Sequence, residues 1–102
     1  MSYYVKTTVA LKFGQNAGFN EVLLQLVPFL AQHRWKLLYG LQTLVGDLTE
    51  NLHLWEVEDL SDVPTGLNAV FSDAELGKAL ARLPEFMNKE TLSIMVETPY
   101  SP

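Results

Sequence analysis

Two neighbouring segments of this chain are apolar on both of the faces that an extended strand presents. Residues 36–45 carry leucine, tyrosine and valine on one face and further leucines on the other, and residues 51–58 follow a similar pattern. A strand with one wet face alternates apolar and polar residues, whereas a strand that is covered on both faces does not. The pattern therefore predicts two strands that are covered from both sides. The predicted faces are Leu37, Tyr39, Leu41 and Val45 against Leu38 and Leu44 in the first strand, and Leu52 and Leu54 against His53, Trp55 and Val57 in the second.

The rest of the chain supplies two more strands and two amphipathic helices. Period-two alternation and helical spacing of apolar residues predict strands at residues 3–12 and 91–97 and helices at residues 17–34 and 65–83. Asn16 is the expected N-cap of the first helix. Pro28 is expected to kink that helix or divide it, and Ser72 is expected to cap a fresh piece of the second helix.

The order of these elements, β-α-β-β-α-β, predicts one α+β domain over residues 1–102 with a ferredoxin-like fold. Two split β-α-β units with right-handed crossovers give a four-stranded antiparallel sheet with the helices on one face. The helices cover that face only, yet residues 36–45 and 51–58 are apolar on both. A second copy of the same sheet is the simplest cover for the other face, so the sequence predicts a homodimer.

Composition excludes several classes of function. The chain has 102 residues, and its net charge of −5 argues against a nucleic-acid partner, which would require a basic face. It contains no cysteine, which excludes disulfides and thiol nucleophiles. We recognise no secretory signal and no membrane-spanning stretch, so a cytoplasmic protein without a membrane partner is the expectation.

Three residues are candidates for a ligand pocket. His53 and Trp55 lie two residues apart and therefore share one strand face, and Tyr39 offers a phenolic hydroxyl. The functional interpretation makes His53 an acid, base or ligand contact, with Trp55 as the pocket wall. The structural interpretation, which the sequence favours, makes Trp55 a core residue and His53 a hydrogen-bonded histidine of the interior or of an interface. It makes Tyr39 a packing residue with a solvent-exposed edge. Neither a metal site nor a cofactor is predicted, because metal-ligand spacing, a phosphate loop and a nucleophile elbow are not recognised.

Short motifs spread along most of the chain match one known family. The most specific is the run Asn51-Leu52-His53-Leu54-Trp55, with the acidic loop Glu58-Asp59-Leu60 after it. Weaker matches, in the same order and at similar spacing, are Pro28, Leu38-Tyr39-Gly40, Val45-Gly46, Asp73 and Ile94-Met95 to Pro99. In these residues the chain resembles the NIPSNAP family, within the dimeric α+β barrel superfamily.

The resemblance implies a ferredoxin-like protomer whose sheet packs on its twin to form a barrel, and it implies no well-defined activity. The chain also departs from the family pattern. The first strand of NIPSNAP-like proteins usually carries Glu, Arg and Tyr on alternating positions, where this chain has Val5, Thr7 and Val9. The usual aromatic residue after the Asp of the second helix is Leu76 here. Polar groups that would serve a ligand in relatives are therefore missing.

Three functions follow as hypotheses. The first is a small dimer that binds a small apolar or aromatic ligand or has no catalytic role. The second is an enzyme, since the same superfamily includes cofactor-independent monooxygenases that act on aromatic substrates. The third is an interaction module that presents acidic helix surfaces. A cavity beside His53 would favour an enzyme over the first hypothesis, and a solid core there would favour the non-catalytic role.

Overall fold

The structure, a computed structural model, describes residues 2–102 as one sheet with a layer of helices. The elements are β1 (Tyr3–Leu11), α1 (Asn16–Ala31), β2 (Lys36–Gln42), β3 (Glu50–Val57), α2 (Asp62–Ser72), α3 (Ala74–Ala81), α4 (Leu83–Phe86) and β4 (Met87–Met95). The predicted β-α-β-β-α-β order is confirmed, with the second helical region divided into three helices.

The four strands form one antiparallel sheet in the order β2-β3-β1-β4. The ferredoxin-like fold is therefore confirmed. The molecule measures 39 × 37 × 18 Å, and its short dimension has room for one sheet and one layer of helices. The residues of β1 and β3 that face the helices are buried at every second position, so the core lies between the sheet and the helices.

The core is anchored by a contact between two tryptophans. Trp35, which follows α1, meets Trp55 of β3 edge to face, with ring centroids 5.7 Å apart. The Trp35 indole N–H donates to the Asp62 carbonyl at 2.7 Å and so joins the start of α2 to the core. Gly66 of α2 lies so close to the Trp35 ring that a side chain there would collide with it. This glycine is required for the close approach of α2.

The predicted register of β2 is wrong. Leu37 lies opposite Trp55 and Tyr39 lies opposite Leu54, so these two side chains of β2 point to opposite faces of the sheet. A register shift between Leu37 and Tyr39 places one extra residue in β2. Because side chains in a strand alternate with a period of two, one inserted residue moves all later ones to the other face.

The second strand is also shorter than predicted. It ends at Gln42, and Leu44 and Val45 lie in the following loop with 89% of each side chain exposed. Thr43 closes the hairpin, because both its backbone N–H and its hydroxyl donate to the Glu50 carbonyl. Beyond this point the pairing stops, although the residues remain apolar.

The helix boundaries correct two further predictions. Asn16 is the first residue of α1, and Gln15 at the N-cap position makes no side-chain hydrogen bond. The helix runs as one element through Pro28, so of the two alternatives expected there the division is excluded, and the kink stays a prediction. The break in the second helical region is confirmed, but Asp73 is the cap, and its carboxylate accepts the N–H groups of Glu75 and Leu76 at 3.0 Å each.

The last strand is longer at its start than predicted. It begins at Met87 instead of residue 91 and ends at Met95, because its pairing with β1 continues down to Leu11. An irregularity in register occurs between Ala10 and Leu11 of β1. The extension places Glu90 inside the strand.

Candidate functional site

Two cavities meet at His53, both between the sheet and the helices. One, of about 330 Å³, is lined by residues of all four helices and is here called the inner cavity. The other, of about 530 Å³, lies between α1 and the edge strand β2 and is here called the α1–β2 cleft. Edge strands extend beyond the helices that pack on the sheet centre, so incomplete cover at the edges leaves this space.

The inner cavity is lined mainly by apolar side chains. Its aromatic walls are Phe19, Trp35, Trp55 and Phe71. Its polar lining residues are Thr7, His53 and Glu90, which come from three different strands. An apolar chamber with a few convergent polar groups is the usual composition of a small-molecule site.

His53 is the polar residue that belongs to both cavities. It is only 8% exposed, and no hydrogen bond joins its ring to another residue of the described chain. Its ring lies 6.0 Å from the Phe19 ring and 6.4 Å from the Trp55 ring, measured between centroids. Burial lowers the pKa of His53 below its ordinary value of 6.5. The imidazole is therefore neutral at neutral pH, with one nitrogen able to accept a proton or a hydrogen bond.

Glu90 is a second titratable group of the inner cavity. It lies opposite Val9, whose other neighbour across the sheet is Asn51, so Glu90 faces the helix side as His53 does. Two strand spacings and one step of two residues separate it from His53, which places the two Cα atoms ~12 Å apart. Although the residue as a whole is exposed, the apolar atoms around its carboxyl raise its pKa. Both groups are therefore biased toward their neutral forms.

Asn51 supplies a polar group to the α1–β2 cleft. The residue is 4% exposed, and its side-chain oxygen Oδ1 is buried without a hydrogen-bond partner in the described chain. It lies two residues before His53 on the same face of β3. The rest of the cleft is formed by Asn20, Leu23, Leu24, Val27 and Pro28 of α1, Leu37, Gly40, Leu41 and Gln42 of β2, and His53.

The structure brings together two of the three residues that the sequence singled out. His53 and Trp55 both line the inner cavity. Tyr39 lies on the opposite face of the sheet, where 61% of it is exposed, and it is not among the lining residues of either cavity. The bulge in β2 is the cause, because it turns Tyr39 away from the helices.

Sequence reasoning missed Glu90 and Asn51. Each had a signal in the alternation of its own strand. Asn51 shares the face of His53 at a spacing of two residues, and Glu90 has the same relation to Leu92. The predicted start of the last strand at residue 91 excluded Glu90, and Asn51 was considered only as part of the family motif and not as a pocket residue.

Residues 2–102 contain neither a cluster of metal-ligating side chains nor a membrane-spanning helix. Within that range, no three histidine, aspartate or glutamate side chains converge to hold a metal ion. In the same part of the chain, no helix is both long enough and apolar enough to cross a bilayer.

Comparison with known proteins supports the fold. No family model matches the sequence, and no curated protein does so. A solved NIPSNAP family protein from Agrobacterium tumefaciens aligns over 100% of this chain and 98% of its own, with TM-score 0.86 and 16% identity. A second from that organism, of unknown function, covers 99% and 92%, with TM-score 0.85 and 20% identity.

A third solved structure is that of an oxygenase. A cofactor-independent oxygenase from Streptomyces nogalater aligns over 99% of this chain and 96% of its own, with TM-score 0.70 and 13% identity. At identities this low, structural likeness shows the fold alone. The resemblance to NIPSNAP family proteins is thus confirmed at that level: this chain has their ferredoxin-like fold.

Proposed function

We propose that this protein is a homodimer that binds a small apolar ligand, aromatic in character, in the inner cavity beside His53. One observation carries the proposal. His53 is buried, free of hydrogen bonds to the described chain and kept neutral by its surroundings, and it faces an apolar chamber with aromatic walls. A polar group in that state gains most from a ligand that hydrogen-bonds to it.

The size of the chamber limits the ligand. Its volume of about 330 Å³ is at the lower end of the range of small-molecule sites. A molecule of one to three rings fits, and stacking against Trp55 or Phe71 would hold its plane. Glu90, on the far side of the chamber, would meet a polar substituent of the ligand at the end opposite His53.

The structural role of His53 would require different partners for its ring nitrogens. A structural histidine would have both ring nitrogens committed to protein partners or to the dimer mate. Among residues 2–102, neither nitrogen has such a partner. Its ring also faces the helix side of the sheet, and the face left for a second copy is the other one. This supports the functional role of His53 over the structural one.

A thermal-shift screen with matched histidine variants tests the ligand site. Quinols and short aromatic acids, which are small enough for the chamber, would be screened against the native protein, His53→Gln and His33→Gln. His33 follows α1 and stacks on Phe29 at 4.7 Å, away from both cavities. We expect a ligand that stabilises the native protein and the His33 variant but not the His53 variant. Equal stabilisation of all three would contradict the assignment of His53.

The homodimer is supported by the uncovered face of the sheet. That face carries Tyr39, Leu41, Leu52 and Leu54 from the two strands that the sequence marked as apolar on both sides. Leu44 and Val45 of the adjoining loop extend the exposed apolar surface. In this proposal Tyr39 serves the dimer and not the pocket. A face-to-face sheet contact would bury more than the roughly 1,000 Å² expected of a specific interface.

Sedimentation at micromolar concentration tests the dimer. The native protein should sediment at twice the 11.5 kDa mass of one chain, and Tyr39→Asp should shift it to monomer because a charge is placed in an apolar interface. Phe13→Asp is the control, since Phe13 is exposed in the loop before α1. A native monomer would refute the dimer, and dissociation by the Phe13 variant alone would move the interface to another surface.

The cytoplasmic location stays a prediction.

An enzyme is the second candidate. It is favoured because His53 and Glu90 line the same cavity and the pKa of each is shifted toward the neutral form. Titratable groups shifted in one apolar chamber are typical of acid–base sites. A neutral His53 would take a proton from an anthrone-type substrate, whose carbanion is then oxidised by dioxygen. The methylene becomes a carbonyl with one oxygen atom, and the other leaves as water. Oxygen uptake with an anthrone that is lost in His53→Gln would establish this activity. Its absence, with binding intact, would leave the ligand-binding function alone.

A further inference from the structure

Thr7 of β1 is a polar residue in the lining of the inner cavity that the proposed function does not use. It lies directly opposite His53 in the sheet, so the two side chains stand next to each other on the helix side. Directly opposed residues of an antiparallel pair have their Cβ atoms about 4.5–5.5 Å apart. One small group of a ligand can therefore contact both side chains.

Both side chains keep polar atoms free for a ligand. Thr7 and His53 are each only 8% exposed, and among residues 2–102 no hydrogen bond joins the Thr7 hydroxyl or the His53 ring to another group. Asn51 Oδ1 is the one side-chain atom of those residues that is both unpaired and sealed from the surface. The Thr7 hydroxyl and the His53 nitrogens are unpaired but not sealed, so they keep accessible surface. Because both residues line a cavity and have little other exposure, that surface faces the cavity.

The orientation of the imidazole brings its Nδ1 atom to the side of Thr7. A Cβ atom added at Gly40 of β2 would have His53 Cδ2 as its nearest neighbour, at 3.5 Å. The Cδ2 edge of the ring therefore faces β2. Nδ1 lies across the ring from Cδ2, and β1 and β2 flank β3 on opposite sides, so Nδ1 is turned toward β1 and Thr7.

The charge of the lining selects the group that this pair of residues can bind. The residues around the inner cavity include neither lysine nor arginine, and the one carboxyl among them is that of Glu90. An anionic group would lose its hydration there without gaining a counter-charge. A neutral hydroxyl fits, because its hydrogen can be donated to an imidazole nitrogen while its oxygen accepts the hydroxyl hydrogen of Thr7.

We infer that Thr7 and His53 together bind one neutral hydroxyl group of the ligand, which donates to His53 Nδ1 and accepts from the Thr7 hydroxyl. The inference rests on the proposed function and adds the class of molecule: a phenol or another aromatic alcohol, rather than an aromatic acid or a ring without a polar group. It also makes Thr7 a residue that determines specificity.

Three probes with the same ring test the hydroxyl. p-Cresol carries a hydroxyl where p-xylene carries a methyl group of similar volume and p-toluate carries a carboxylate. Binding would be followed by amide chemical shifts, with Glu90 and Leu92 reporting on the inner cavity and Leu24 and Val27 on the α1–β2 cleft. We expect p-cresol to shift the inner-cavity residues and to bind roughly tenfold tighter than either of the other probes.

Variants at two neighbouring threonines locate the preference. Thr7→Val replaces the hydroxyl by a methyl group and should reduce the preference for p-cresol over p-xylene to within about threefold. Thr8→Val is the matched control, because Thr8 faces the other side of the sheet, opposite Leu52, and it should leave the preference unchanged. Thr7→Ser should keep the preference and Thr7→Ala should lose it, and this second pair tests the hydroxyl even if the valine variant fails to fold.

The outcomes separate this inference from the proposed function. If p-cresol and p-xylene bind the inner cavity equally well, or if Thr7→Val keeps the full preference, the hydroxyl site is overturned and the inner cavity stands as a ligand site. Tighter binding of p-toluate than of p-cresol would overturn the neutral class of ligand. Shifts confined to Leu24 and Val27 would overturn the hydroxyl site as well, because Thr7 does not line that cleft. No shift with p-cresol at about 10 mM would have the same result, whereas the proposed function is decided by the thermal-shift screen.

Discussion

The two faces of the sheet are built from the same strands but are covered in different ways. On the helix side, Val5, Val9 and Trp55 are buried within a single chain. On the other side, Leu52 and Leu54 are only half-buried and Tyr39 is exposed. That face also carries Lys6, Thr8 and Glu56 and is the more polar of the two, but its leucines show that apolar character alone does not decide burial. The helices decide it, and their incomplete reach over the edge strands leaves the two cavities.

The largest expected effect contrasts two neighbouring residues of β3. Trp55→Ala should destabilise the fold by about 3–5 kcal/mol, because it empties the centre of the helix-side core and removes the contact with Trp35. Leu54→Ala, on the other face, should cost less, and its cost should depend on protein concentration if a second copy covers it. Urea denaturation at two protein concentrations measures both. A loss below about 1 kcal/mol for Trp55→Ala would break the contrast between the faces.

A pair of glycines tests how closely the helices pack on the sheet. Gly66→Ala should cost about 1–3 kcal/mol, because the added methyl group collides with the Trp35 ring. Gly77→Ala in α3 is the control, since nothing lies within 4 Å of the added atom. This helix substitution should stabilise the protein by about 0.5–1 kcal/mol. Unfolding free energies from denaturant melts measure both changes. If both variants are stabilised, or both destabilised, α2 does not pack tightly on Trp35.

The two titratable groups of the inner cavity should act on stability with opposite signs. Burial lowers the pKa of His53 below 6.5, so the unfolded chain binds more protons there and stability falls as the pH drops below 6.5. Burial raises the pKa of Glu90 above 4.5, so its contribution is fully present below pH 4.5 and is lost as the pH rises through the folded value.

Single substitutions separate these two contributions. His53→Gln should remove the loss of stability on the acid side of pH 6.5, and Glu90→Gln should remove the opposing loss that begins above pH 4.5. Unfolding free energies at steps between pH 4.5 and 6.5 measure both slopes. If the unfolding free energy of both variants changes with pH in the same way as that of the native protein, neither group is desolvated in solution.

The smallest expected effect concerns the face away from the helices. Glu56 lies opposite Tyr4 and Lys36 on that side of the sheet, so it does not share the chamber of His53. Glu56→Gln should change the affinity of any ligand of the inner cavity by less than about twofold. A tenfold loss in a titration would place the ligand on the face that we assign to the dimer.

The strands at the centre of the sheet could be predicted well, and those at its edges could not. Alternation in β1 and β3 is regular, so the faces of His53, Trp55 and Leu54 follow from counting by two. In β2 a single bulge moved Tyr39 to the other face. Gly40 beside it is a residue type that often marks a bulge, but a glycine alone does not fix where the extra residue falls. In β4 the polar residues 88–90 were not predicted as strand, although pairing with β1 carries the strand through them.

The sequence by itself determined the order of the elements, the ferredoxin-like fold and the alternating faces of the central strands, because these depend on local periodicity and turn residues. Only the tertiary structure decided which polar groups meet. His53 shares one cavity with Asn51 and the other with Glu90, because strand pairing sets their register and the helices leave the sheet edges uncovered. Burial then shifts the pKa of His53 and of Glu90 and leaves Asn51 Oδ1 without a partner. Desolvation depends on every atom that surrounds a group in space, and the periodicity of the sequence does not specify those neighbours.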